Sequence, residues 1–212
     1  MNPSKNCLNK FLKYLKELAP NPKCLLTFKK DYQFLIKVML SAQAKDVMVN
    51  KYADLLFTKY KTLDSLSKAL IKDIERIIKP LGFYQNKAKN IKNISNDLIE
   101  KFKGKIPNNK KDLMTLKGVG NKTANCVLNE LFHENFIAVD THVQRVCKRL
   151  NFVSKNAEPV MIETWLYKHL PKEEIHLFSN RTIFFGRNIC TAKKPHCFQC
   201  KMKCGFSKNI LG

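Results

Sequence analysis

Apolar residues recur at three- and four-residue intervals along most of the chain, the spacing of one buried helical face. Leu8, Phe11, Leu12, Leu15 and Leu18 predict a helix over 8–19, ended by Pro20 and Pro22. Phe34, Leu35, Val38, Met39 and Ala42 repeat the pattern over 31–42, and Val49, Tyr52, Ala53, Leu56 and Phe57 over 46–58. Two shorter apolar segments, 63–71 and 74–78, precede a break at Pro80 and Gly82. Ala88, Ile91, Ile94, Leu98 and Phe102 then mark a long helix over 85–102. Past residue 140 the pattern returns with Val143, Val146, Cys147 and Leu150, then over about 157–169 and 173–187. The β-branched runs are short and lack hairpin turns, so no strand is expected and the fold class is all-α. No apolar run approaches the roughly 18 residues that a membrane span needs.

One stretch departs from this regularity. In Leu116-Lys117-Gly118-Val119-Gly120-Asn121-Lys122 two glycines flank one apolar residue, with helical periodicity on both sides. The pattern predicts helix, tight hairpin, helix. Gly118 falls where a first helix, opened by Pro107 and Asn108-Asn109, would end in the left-handed region that glycine enters cheaply. Asn121 is the expected N-cap of the second helix, and Lys122 lies in its first turn. Backbone N–H groups at Gly118, Val119, Gly120 and the helix start would face an anion, and a DNA phosphate suits that place. Eighteen residues after Lys122, Asp140 opens the run Asp140-Thr141-His142-Val143. It is expected to cap the helix starting at Thr141. His142 either faces a substrate or continues the helix.

Charge narrows the partner. The formal net charge is +22, and such an excess favours a polyanion, nucleic acid first. Of 39 basic residues 34 are lysines, however, and asparagine and isoleucine are also abundant, so part of the excess is explicable as drift in an AT-rich coding sequence. Arg145 and Arg149, four apart, share a face of the helix after Asp140, either toward a nucleic acid or in ordinary ion pairs. The stretch Met1–Leu18 is basic but lacks the apolar core of a signal peptide, so an intracellular protein, in cytoplasm or nucleoid, is expected.

Eight cysteines are present, and the last four fall within fifteen residues: Cys190, Cys197, Cys200 and Cys204. Clustered cysteines in an intracellular chain read as metal or cluster ligands before disulfides. Four thiolates suit either a 4Fe–4S cluster or a zinc ion. Cys126 and Cys147 lie on the apolar faces of their helices and read as core residues. Lys193, Lys194, Lys201 and Lys203 project from the short loops between and beside the clustered cysteines, either as phosphate contacts or as solvated charge.

The hairpin, the lysine two residues past its second glycine, and the Val139-Asp140-Thr141-His142 run resemble the helix-hairpin-helix DNA glycosylases of the endonuclease III family. The likeness extends from Ser41-Ala42-Gln43-Ala44 to Cys204. It departs at Lys117, where the family has proline, and at the last cysteine spacing, where three residues replace the family's typical five. The resemblance implies a six-helix domain over roughly 21–134 that holds the hairpin. It implies a second domain, from 1–20 and 135–212, built around a structural iron–sulfur cluster. It implies that Gln43 enters the duplex and that Phe83 takes the place of an apolar wedge, although Phe83 also suits plain core packing. Asp46 reads as a helix N-cap.

The implied activity is that of a bifunctional DNA glycosylase and abasic-site lyase acting on oxidised pyrimidines in double-stranded DNA, as a monomer. Lys122 would displace the base, form a Schiff base with the opened sugar, and cleave the strand on the 3′ side by β-elimination. Asp140 would accept a proton from the amine and stabilise oxocarbenium-like charge. The amine must be neutral to attack. A lysine with an ordinary pKa near 10.4 is neutral in roughly one molecule in 2,500 at pH 7, and one at about 8 in roughly one in ten. A helix N-terminus and desolvation both push a lysine that way, whereas a neighbouring carboxylate opposes it. Two other classes remain open: a monofunctional glycosylase, in which Lys122 is inert, and a non-catalytic hairpin module that only binds DNA.

Overall fold

The computed structural model describes residues 3–206, and among them are eleven α-helices and no strand. They are α1 Pro3–Leu18, α2 Asp31–Leu40, α3 Asp46–Lys59, α4 Leu63–Ser67, α5 Ile71–Ile78, α6 Tyr84–Phe102, α7 Lys110–Leu113, α8 Asn121–Phe132, α9 Thr141–Arg149, α10 Pro159–His169 and α11 Lys172–Asn188. The all-α expectation holds. α1 starts earlier than its apolar stripe, with Pro3 at the first helical position, where its fixed φ and missing N–H suit a helix start. The break between α4 and α5 falls at residues 68–70. Thr62 and Ser65 cap α4 reciprocally, and α5 restarts at Ile71. α3 begins at Asp46 with Lys45 in the cap position, so Asp46 is not the cap. Its carboxylate lies in the first turn, where the helix dipole favours it.

The chain divides into two compact units. Cys24–Glu134 forms one, and the segment up to Lys23 joins the segment from Asn135 onward in the other. In Cys24–Glu134, α2 is buried along nearly its whole length and packs on α3, α6 and α8. α6 lies against α4 and α5, burying Ala88, Ile91, Ile94 and Leu98. The fully buried Lys37 of α2 donates to the Thr27 carbonyl and to Asn50 Oδ1 (3.2 Å) and Asp54 Oδ1 (2.7 Å), fixing the loop before α2 to α3.

In the other unit α11 packs on α1 and α9, and α10 on α9. Phe11 of α1 is its centre, with Phe185, Phe152 and Phe178 ring centroids 5.3, 5.9 and 6.4 Å away. Buried Arg181 of α11 donates to the Ala19 carbonyl (3.1 Å), the Pro20 carbonyl (2.9 Å) and Glu174 Oε2 (3.0 Å), and Lys16 of α1 also pairs with Glu174. That network holds the end of α1 against α11.

Removing one member of a buried ion pair strands the other, which costs more than the pair contributes. Glu174→Ala is therefore expected to destabilise the protein by about 3 kcal/mol, read from the denaturant midpoint in urea unfolding followed by circular dichroism.

Candidate active site

The hairpin is tighter than its sequence suggests. Its first helix, α7, is a single turn capped by Asn109, whose side chain accepts the Asp112 amide at 2.9 Å. Short turns follow to Gly118, which has φ +80°. The positive φ is what calls for glycine at Gly118, and a Cβ there would also displace the Asn90 side chain, whose nitrogen would stand 2.4 Å away. α8 starts at Asn121 with Gly120, not Asn121, in the cap position. Gly120 is extended (φ −95°, ψ −179°), as a cap must be, which puts Asn121 already inside the helix. Val119 buries its side chain, and its amide donates to the Leu116 carbonyl (3.1 Å), so that donor is committed within the turn. The first amides of α8 have no acceptor within their own helix, the feature that lets a helix N-terminus face an anion. Lys122 occupies that first turn and is half-buried.

Two loops of the same unit carry Gln43 and Phe83. Both residues have left-handed backbones, with φ of 55° and 47°. A non-glycine residue held there costs of order 1–3 kcal/mol and persists only where its surroundings impose it, commonly at functional sites. Phe83 is 64% exposed, which excludes the core-packing role left open from sequence. Gln43 and Phe83 line one open pocket together with Asn86, Lys87, Asn90 and Gly118. Burial pulls the Lys87 ammonium below the ordinary lysine pKa.

Asp140 caps α9 as expected. Its Oδ1 accepts the amides of His142 and Val143, each at 2.9 Å. Its Oδ2 lies 3.0 Å from His142 Nδ1. His142 thus continues the helix and also orients the carboxylate, a pairing that sequence reasoning missed. The signal was present in a histidine two residues after a capping aspartate.

Cys190, Cys197, Cys200 and Cys204 line one small pocket with Arg149, Phe185, Met202 and Phe206. As they stand, no group of three or more His, Cys, Asp or Glu side chains among the described residues is arranged to hold a metal ion. The donor set nevertheless fits a thiolate-held group: four thiols face one cavity and no carboxylate lines it. The Cys200 and Cys197 thiols are pushed up first by burial and then by the other cysteines, whose company a cation would relieve. Met202, between Cys200 and Cys204, is buried, and its amide donates toward Cys200 Sγ at 3.4 Å.

Arg145 and Arg149 share a face, as expected, but it faces inward. Arg145 donates to the carbonyls of Gly186 (2.8 Å) and Cys190 (3.1 Å). Arg149 donates to those of Thr191 (2.7 Å) and Ala192 (2.9 Å) and approaches Cys190 Sγ at 3.4 Å. Lys193 and Lys194 are exposed, whereas Lys201 is tied to Glu17 at 2.7 Å. Cys147 is a core residue, its thiol pushed up to about 12 by burial. Cys126 is only half-buried. It adds to the burial that pushes the Cys24 thiol up to about 12.

A family model described as HhH-GPD superfamily base excision DNA repair protein matches residues 36–172. Endonuclease III of Bacillus subtilis (strain 168) is 37% identical over 196 residues, covering 92% of this chain and 88% of the relative. Endonuclease III of Haemophilus influenzae is 39% identical over 203 residues, covering 94% and 93%. Among solved structures, a trapped endonuclease III–DNA covalent intermediate (estranged-adenine complex) superposes with a TM-score of 0.95 at 38% identity, covering 98% of this chain and 99% of that one.

The hairpin geometry separates its two glycines. Gly118→Ala meets both a positive φ and the Asn90 side chain, and is expected to cost about 2 kcal/mol. Gly120→Ala has nothing within 4 Å of the new Cβ and an allowed backbone. It should cost less than about 1 kcal/mol. Thermal and urea unfolding of the two variants side by side test the contrast.

Proposed function

Because the chain belongs to the endonuclease III family of HhH-GPD superfamily base excision DNA repair proteins, we propose that Lys122 is the nucleophile of its bifunctional DNA glycosylase and abasic-site lyase chemistry. The substrate is double-stranded DNA carrying an oxidised pyrimidine or an abasic site. The observation that carries the reading is an amine in the first turn of α8, just past the hairpin, in a chain 38% identical to an endonuclease III captured as a covalent intermediate with DNA.

The amine of Lys122 attacks C1′ of the damaged nucleotide, and the base leaves with the glycosidic electron pair. The sugar ring opens to a Schiff base on Lys122. Loss of a C2′ proton then expels the 3′ phosphate. Asp140 takes up the proton that the amine sheds and offsets positive charge on the sugar. Its capping bonds and His142 keep that carboxylate fixed, so no reorganisation is needed as charge develops. Backbone amides at Gly120 and the start of α8 hold a phosphate beside the lesion, with Gly118 and Val119 shaping the turn. Gln43 and Phe83 fill the duplex where the damaged nucleotide leaves the stack. Lys193 and Lys194 add phosphate contacts.

Cys190, Cys197, Cys200 and Cys204 hold a 4Fe–4S cluster, which supplies a structural cross-link to the C-terminal loop. Support comes from four cysteines lining one pocket that no carboxylate lines, with buried Met202 between Cys200 and Cys204. Among the described residues no helix is long and apolar enough to cross a membrane. The protein works as a monomer inside the cell, in cytoplasm or nucleoid.

Purified protein should contain iron and acid-labile sulfide in equal amounts. Zinc without sulfide would replace the cluster by a zinc site. On duplex DNA with one oxidised pyrimidine, Lys122→Gln should abolish strand cleavage, and Asp140→Asn should slow base release by about a hundredfold or more while the protein stays folded. Asparagine still caps a helix, so stability should change by under about 1 kcal/mol. Base release by Lys122→Gln at the wild-type rate would make the enzyme monofunctional. Intact strand cleavage by the same variant would remove Lys122 from the chemistry altogether.

A further inference from the structure

Lys87 lies on the inward face of α6, at four-, seven- and eleven-residue intervals from Ile91, Ile94 and Leu98, which are fully buried. Its side chain is itself buried, with the residue 5% exposed. The ammonium donates to the Ala42 carbonyl at 2.8 Å and the Leu81 carbonyl at 3.0 Å. These acceptors belong to two separate loops. Ala42 immediately precedes Gln43, and Leu81 lies two residues before Phe83. A buried cation held by carbonyls is a liability for stability, so its position calls for a purpose beyond filling space.

Both loops carry strained backbone; left-handed non-glycine residues elsewhere are Asn151 and the helix ends Lys103 and His133. Gln43 and Phe83 both adopt left-handed φ, and both present their side chains outward. Strain of that kind persists only when the surroundings over-determine it. One side chain bridging both loops can supply that constraint. Lys87 also lines the open pocket that Gln43 and Phe83 share. Either protonation state can do this, because a neutral amine still has two N–H donors for two carbonyls.

We propose that Lys87 is a positioning residue that locks the Gln43 and Phe83 loops at a fixed separation, so that the two side chains enter the duplex as one unit. The inference rests on the reading that Gln43 and Phe83 fill the gap left by the extruded nucleotide. The Lys87 ammonium is committed to the Ala42 and Leu81 carbonyls, and neither of these belongs to the hairpin that carries Lys122. Loss of Lys87 therefore impairs opening of the duplex and spares chemistry on DNA that is already open.

Two substrates separate these effects: a duplex with one oxidised pyrimidine beside a base analogue that fluoresces on unstacking, and a single strand carrying an abasic site. Lys87→Met keeps the stem and removes both donors. It should slow base release from the duplex by about tenfold or more, with a smaller fluorescence rise, because small misplacements of positioning groups have effects of that order. Cleavage of the single-stranded abasic site should stay within about twofold, the ordinary scatter for independent sites. Combined with Phe83→Ala, Lys87→Met should add no further loss, since both disable the same unit. Lys87→Arg, which keeps donors but spaces them differently, should restore part of the fluorescence rise. It carries the same test if Lys87→Met does not fold. Equal loss on both substrates, additive loss with Phe83→Ala, or an unchanged duplex rate would each overturn the proposal. If Gln43→Ala and Phe83→Ala both leave duplex base release intact, the wedge reading itself fails. If they impair it and Lys87→Met does not, only the role of Lys87 fails.

Discussion

Long cationic side chains reaching from helices to the backbone carbonyls of neighbouring loops hold much of this protein's irregular structure in place. A loop without secondary structure has carbonyls that no ladder satisfies, and burying them unpaired is costly. Lys87 serves Ala42 and Leu81, Lys37 serves Thr27, and Lys92 serves Ala69. Arg181 serves Ala19 and Pro20, while Arg145 and Arg149 between them serve Gly186, Cys190, Thr191 and Ala192. Hydrogen bonds from charged donors contribute about 1.5–3 kcal/mol each when they exchange well with water. Here their larger effect is geometric: apart from the bond to Gly186, which lies in the last turn of α11, each ties a loop to a helix.

This use of charge changes what the basic composition means. Arg145, Arg149 and Arg181 are spent on internal carbonyls, and the planar fork of arginine suits two acceptors at once. The charge left at the surface is mostly lysine, a mobile point charge that meets phosphates without demanding geometry. Affinity for DNA on this account falls steeply with salt. On the proposed reading, specific geometry comes from the hairpin, the Gln43 and Phe83 loops, and the carboxylate of Asp140, fixed by its capping bonds and His142.

The helices were legible because each buries one face, and a 3.6-residue period survives any detail of packing. Asp140 was legible as a cap, since its side chain competes for the same amides in any context. Asn121 was misjudged because an extended glycine serves as a cap through backbone geometry alone, without a side-chain signal. Arg145 and Arg149 were placed on the right face but could not be given the right partner, since the carbonyls they meet lie some forty residues away. Lys87 was readable in principle as a charge on an apolar stripe. What it holds was not, because two loops 45 and 6 residues distant meet it only in three dimensions.

The proposed chemistry depends on one amine, Lys122 in the first turn of α8, carrying the bond to DNA. The most direct measurement is to reduce the reaction with borohydride on a duplex containing an oxidised pyrimidine, digest the adduct, and locate the sugar remnant by mass spectrometry. The account predicts a single modified lysine, Lys122. A remnant on any of the other 33 lysines, or on the N-terminal amine, would contradict it, as would base release and strand cleavage with no trapped adduct.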